Sequence, residues 1–177
     1  MQARGPLMIE HRLIERMIAL IEKELEHIEE TNQVNPAFID VAVDFIRIYA
    51  DRTHHGKEED ILFRDLAQKE LSDEDQALME ELVQEHVYGR EVTADLIAAN
   101  ARYRDGDASA VAVVKEKLAT LANFYPQHIE KEDKVFFPAS LAYLSAEEQQ
   151  AMLDEFRAFD ARMIHEKYRG VVEALEP

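Results

Sequence analysis

Apolar side chains recur every three or four residues in five blocks along the 177-residue chain, separated by short stop-and-start signals and no long linker. That period is helical, and it predicts an all-α protein. The first block opens at Gly5-Pro6, where proline suits a first helical turn, and carries Met8, Leu13, Met17, Leu20 and Leu25 to about Glu30. Thr31 to Asn35 interrupt it. Asn35-Pro36 reads as an N-cap followed by proline at the first helical position. The second helix then carries Phe38, Val41, Phe45, Ile48, Ile61, Leu62 and Leu66, and ends near Leu71. Ser72-Asp73-Glu74-Asp75 resembles a capping box with a short acid in its last place, and starts a third helix that closes in the Arg104-Asp105-Gly106-Asp107 turn. The fourth runs from about Ala108 to Ala139 and includes Pro126, which lacks a backbone donor and predicts a kink or local opening. Ser145-Ala146-Glu147-Glu148 is another capping box and opens a fifth helix to about Leu175.

The expected architecture is an up-down-up-down four-helix bundle over residues 1–140, with residues 141–177 adding a C-terminal helix packed on it in the same domain. Composition agrees: Gly and Pro number only 5 each, 47% of residues are hydrophobic and 32% charged, a mixture of strong helix formers. A formal net charge of −17 repels phosphate backbones, and no basic stripe offsets it, so nucleic acid is excluded as a partner. No stretch approaches the roughly 20 uninterrupted apolar residues of a membrane span, and Met1 to Glu10 lack the pattern of a secretory leader. The expected setting is cytoplasmic. There is no cysteine, so thiolate chemistry of every kind is excluded and any metal must be held by nitrogen and oxygen.

The placement of the seven histidines carries the chemistry. His54 and Glu58 stand one helical turn apart, as do His128 and Glu132, so each pair offers an imidazole and a carboxylate on one face. Their surroundings repeat as well, HHGKEEDILF against HIEKEDKVFF, and helices one and three share Glu10-His11 and Glu85-His86. The chain thus reads as two related hairpins. From His11 to the first loop is about 19 residues and from Pro36 to His54 about 18, so antiparallel helices put both histidines at nearly one height. Similar arithmetic brings Glu58, His86, His128 and Glu132 to the same layer. Burying six such groups uncompensated would cost several kcal/mol per charge, which a cation offsets. Imidazole plus carboxylate suits iron, manganese or zinc, and two inward carboxylates suit a dinuclear centre. A ferritin-like site would need Glu-x-x-His on two helices, and only Glu24-Leu25-Glu26-His27 matches.

The set His11, His54-x-x-x-Glu58, Glu85-His86 and His128-x-x-x-Glu132, with its two repeated phrases, resembles the hemerythrin-like, or HHE cation-binding, family over about residues 8 to 140. The resemblance implies two iron ions, with His11, His54, His86 and His128 as terminal ligands and Glu58 and Glu132 as bridges. Hemerythrins proper carry another histidine one turn after that of the third helix; here the position is Arg90. The missing imidazole leaves a coordination position for water, another side chain or a small molecule. The implied role is binding of O2, NO or peroxide as an oxygen or redox binder or sensor, with an electron donor or regulatory partner unspecified. A peroxide-decomposing or NO-reducing enzyme, or an iron-responsive regulatory module, are the alternatives.

Other residues are expected around the metal and not on it. His55 and Glu59 repeat the one-turn spacing about 100° around the helix from His54 and Glu58, which suits outer support or exposure to solvent. Glu10 and Glu85 can accept from imidazoles of neighbouring helices. Arg90 is expected to turn to solvent, or else to pair with Glu85 or an anionic ligand. Tyr49, Tyr88 and Tyr125 lie about one turn from the ligand positions, and are expected to pack. Helix arithmetic leaves His165 about 9 Å beyond the level of His128, with Phe156, Phe159 and Met163 packing inward. His27 is expected at the surface.

Overall fold

The computed structural model describes residues 2–173, and they form five long helices. We number them α1 (Arg4–Thr31), α2 (36–66), α3 (Asp73–Arg104), α4 (110–140) and α5 (Ala146–Glu173). The first four form the antiparallel bundle, and α5 packs along α2. The proposed end of α5 at Leu175 lies outside the described residues. No helix among them is long and apolar enough to cross a membrane.

Local chemistry sets the helix ends. Asn35 accepts from the Phe38 amide at 3.2 Å, with Pro36 in the first turn of α2. Ser72 accepts from the Asp75 amide, and Ser145 and Glu148 cap α5 reciprocally, each side chain taking the other's amide. Between α3 and α4 the chain reverses at Gly106, whose φ of 92° is open to glycine at little cost.

Two helices depart from α geometry, and neither does so at Pro126. Helix α4 is continuous from Ala110 to Lys131 through Pro126. Leu121, Tyr125 and Ile129 are buried against neighbouring helices on either side of the proline, and this packing holds the helix despite one lost hydrogen bond. Its departure is a π-helical turn at Glu132–Phe136. Helix α2 widens likewise at Ile46–His55 and at Glu58–Phe63. All three segments carry residues of the histidine and glutamate layer, in keeping with the tendency of π turns to mark functional sites.

That layer divides the core in two. On one side Ile14, Ile18, Ile39, Ala50, Leu96 and Leu118 belong to one apolar cluster; on the other Leu7, Ile61, Leu82, Phe136 and Phe156 belong to a second. Along every helix of the bundle the histidines and glutamates of the layer stand between the two. The buried stripe of α1 runs Leu7, His11, Ile14, Ile18, Ile21 and Ile28, while Leu20 is exposed and Met8, Leu13, Met17 and Leu25 flank it. In α2 it runs Ile39, Ala42, Val43, Ile46 and Ala50, and Val41 is exposed. Apolar residues surround both helices, and the face that carries the histidine is the one turned inward.

Leu118 is fully buried in the first cluster, away from the histidine and glutamate layer. Leu118→Ala is expected to cost about 2–5 kcal/mol in urea unfolding while leaving metal content unchanged.

Candidate metal centre

His11 comes from α1, His54 and Glu58 from α2, His86 from α3, and His128 and Glu132 from α4, and all six are buried. Their polar tips converge. Glu132 lies 3.1 Å from Nε2 of His11, 3.3 Å from that of His128 and 3.8 Å from that of His86. Glu58 lies 3.3 Å from Nε2 of His54 and 3.4 Å from that of His86. None of these approaches has hydrogen-bond geometry: the four Nε2 atoms and all four carboxylate oxygens are buried without a partner. Stranded polar atoms at this density are costly unless a cation fills the space between them. Among the described residues two groups have ligand atoms close enough to hold an ion, His11, His54, Glu58 and Glu132 in one, and His55, His86 and His128 in the other.

Outside this layer each imidazole is fixed by its own acid. Nδ1 of His11 donates to Asp133 at 2.8 Å, that of His54 to Glu10 at 2.9 Å, that of His86 to Glu59 at 2.8 Å and that of His128 to Glu85 at 2.8 Å. With the proton held on Nδ1, the Nε2 lone pair points inward, the tautomer a metal requires. Each acid is held in turn by a cation: Asp133 by Arg12, Glu10 by Lys57, Glu59 by Arg90 at 2.6 Å and Glu85 by Lys131 at 2.5 Å. Burial pushes the carboxyls of Glu10, Glu59 and Glu85 up, but these histidine and cation contacts outweigh it and hold them below the usual range.

The inner groups are strained without a cation. Burial and the neighbouring charge of Glu132 push the Glu58 carboxyl well up, whereas burial of Glu132 is outweighed by His128, His11 and His86, which hold it well down. Burial lowers the His54 imidazole to about 4. Burial also opposes charge on His11, yet the hydrogen bond to Asp133 and the adjacent negative charge of Glu132 prevail and raise it to about 9.

His55 is where the structure adds most to the sequence. It is buried, not at the surface, and its ring stacks on that of His86 with centroids 3.9 Å apart and planes 7° apart. Its Nδ1 has no hydrogen-bond partner and sits 3.5 Å from Asp51. A turn of about 100° per residue belongs to α geometry; the π segment that ends at His55 turns less per residue, so consecutive histidines both face inward. Arg90 is exposed, as the first of its two expected placements has it, and it also bridges Glu59 and Asp51, at 2.7 Å for the latter; it does not pair with Glu85. Tyr125 is buried, and burial pushes its hydroxyl up so that the O–H is retained; Tyr49 is half-buried and Tyr88 exposed. His27 and His165 are exposed, while Phe156, Phe159 and Met163 pack inward.

Sequence reasoning passed over Asp133, Arg12, Lys57, Lys131, Asp51 and Asp160. The signal for three of them was present, since Lys57 and Lys131, and Glu59 and Asp133, occupy equivalent places in the two repeated phrases. Lys57 is fully buried and also binds Asp160 of α5 at 2.7 Å. Next to it Gly56 abuts Phe159 of α5, where a β-carbon would lie 2.8 Å from the ring.

Residues 6–140 match the hemerythrin HHE cation binding domain. The chain is 25% identical over 169 residues to uncharacterized proteins of Mycobacterium bovis and Mycobacterium tuberculosis, an alignment covering 94% of this chain and 65% of theirs. It thus spans about two thirds of the length of these curated relatives. No solved structure matches it.

Two outcomes are expected of this arrangement. Glu85→Ala frees Nδ1 of His128 and should weaken metal binding about 10- to 100-fold by competition with a chelator, whereas Glu81→Ala, on the exposed side of Lys131, should change it little. In metal-free protein the raised His11 contributes stability that is full below about pH 6.5 and is lost as pH rises through about 9, and Glu58, also raised, acts in the same direction. Urea midpoints in chelator should therefore fall from pH 6 to pH 9.5, and metal loading, which replaces the proton, should shrink the difference.

Proposed function

Because the chain belongs to the hemerythrin HHE cation-binding family, we propose that it is a non-heme di-iron protein that binds O2, NO or peroxide in the core of its bundle. The observation that carries this reading is the layer of unpartnered Nε2 and carboxylate oxygen atoms, with the histidine tautomers fixed from outside. His11 and His54 would hold one ion and His86, His128 and His55 the other, with Glu58 and Glu132 shared between them. His55 of α2 would then take the place that Arg90 leaves vacant on α3. The donor set also accepts manganese or zinc, and membership of the family favours iron.

Bound ferrous ions would supply electrons to a small oxidant. The chain's own residues define the conditions. The two apolar clusters exclude water from both sides of the layer, with Phe137 stacked on His11 and Phe63 on His86. The four outer carboxylates raise the donor strength of the imidazoles and keep their rings from turning. A turnover reading, peroxide decomposition or NO reduction, is favoured by one observation, a cavity that reaches His55 and His86 from outside. An iron-responsive regulatory role would need a separate output partner.

The test begins with iron-loaded protein reduced without air, followed by admission of oxygen and an argon purge while visible absorption is recorded. A band that appears and then fades on purging supports reversible binding; a band that persists supports oxidation and turnover. Iron content is expected at two per chain, falling to about one in His55→Ala. Two irons retained in both His54→Ala and Glu58→Ala would refute the assignment.

A further inference from the structure

A cavity of about 320 Å³ opens between α2 and α3 and ends against the rings of His55 and His86. Its size does not match a diatomic. One water takes roughly 30 Å³ in the liquid, so the space corresponds to roughly ten non-hydrogen atoms, and it falls within the range of small-ligand sites. Ile46, Ala94 and Ile97 supply apolar wall, and the ring of Tyr125 lies deeper.

Two arginines line the cavity, and they differ in their commitments. Arg90 is engaged by Asp51 and Glu59, which also neutralises the one acid on the wall, Asp51. Arg47 makes no ion pair among the described residues, although the chain carries 37 acidic residues to 20 basic ones. Its nearest acid one turn back, Asp44, is taken by Lys167. An uncommitted guanidinium on a mostly apolar wall is suited to a planar anion, and carboxylate is the anion whose geometry it matches. Eight residues of α2 separate Arg47 from His55, at most about 12 Å of helix, so a head group at Arg47 leaves room for an extended chain before the histidines.

We propose that this cavity binds a small amphipathic carboxylate of medium chain length, with its head on Arg47 and its apolar end against His55 and His86. The inference goes beyond the di-iron reading by giving the centre a neighbouring organic ligand, and its geometry stands with or without metal. A molecule in this place lies across the approach to the histidines. It therefore meters what reaches them.

Octanoate is the probe, titrated by calorimetry into iron-loaded and chelator-treated protein, with acetate as head group alone and 1-octanol as chain alone. Saturable 1:1 binding of octanoate is expected, with both controls at least about tenfold weaker. Arg47→Ala should weaken octanoate about tenfold, Arg47→Lys should restore part of the loss, and Ala94→Trp should block the cavity. Both positions are exposed, and circular dichroism checks that each variant is folded. Absence of saturable binding overturns the proposal, as does octanol binding as well as octanoate, or binding that neither Arg47→Ala nor Ala94→Trp alters. Iron measured on the same samples separates the two readings. Iron bound without octanoate ends this inference alone, and octanoate bound without iron ends the di-iron assignment alone.

Discussion

The structure is organised around one electrostatic demand: two carboxylates and five imidazoles occupy a single buried layer with apolar clusters above and below. Nothing in those clusters can solvate the layer, so its polarity is balanced sideways. Each of four imidazoles leads outward to a carboxylate and each carboxylate to a cation, so charge alternates from the centre to the surface. The pairing also ties helices together. Glu10 and Glu85 hold the histidine of the other helix in their own hairpin, His54 and His128; Glu59 and Asp133 reach across to His86 and His11 of the opposite hairpin. The internal repeat of the sequence is thus realised as a reciprocal exchange of acids between two halves.

The π turns meet a second demand, that of geometry. An α-helix places only every third or fourth side chain on its inner face, and α2 must present His54, His55 and Glu58 inward while Lys57 and Glu59 support them from behind. Widening the helix over Ile46–His55 and Glu58–Phe63 turns consecutive residues toward the centre without a loop. The turn at Glu132–Phe136 does the same for Glu132 and Asp133 with less crowding.

What was legible in the sequence was whatever helix arithmetic fixes. The order of helices, their caps and the common height of His11, His54, His86 and His128 follow from spacing, because rise per residue is nearly constant. The inner face of each helix was less legible. Leu20 and Val41 are exposed although they fit the apolar period, because α1 and α2 carry more apolar residues than one stripe needs. Alpha geometry turns His55 away from His54, and no hydrophobic pattern signals the π turn that brings it inward. The exposure of Arg90 follows from its place on α3, whereas its partners Asp51 and Glu59 come from a neighbouring helix that local spacing does not describe.

Lys57 sets the true extent of this unit. Its ammonium is buried among carboxylates from α1 and α5, and Asp160 lies beyond residue 140, where the resemblance to the family stops. A boundary drawn where similarity ends would cut through this cluster and leave a buried cation short of one counter-ion, one relay step from His54. The smallest electrically complete version of this bundle is therefore longer than the domain by which it is recognised, and α5 belongs to the centre as a counter-charge before it belongs to it as a covering helix.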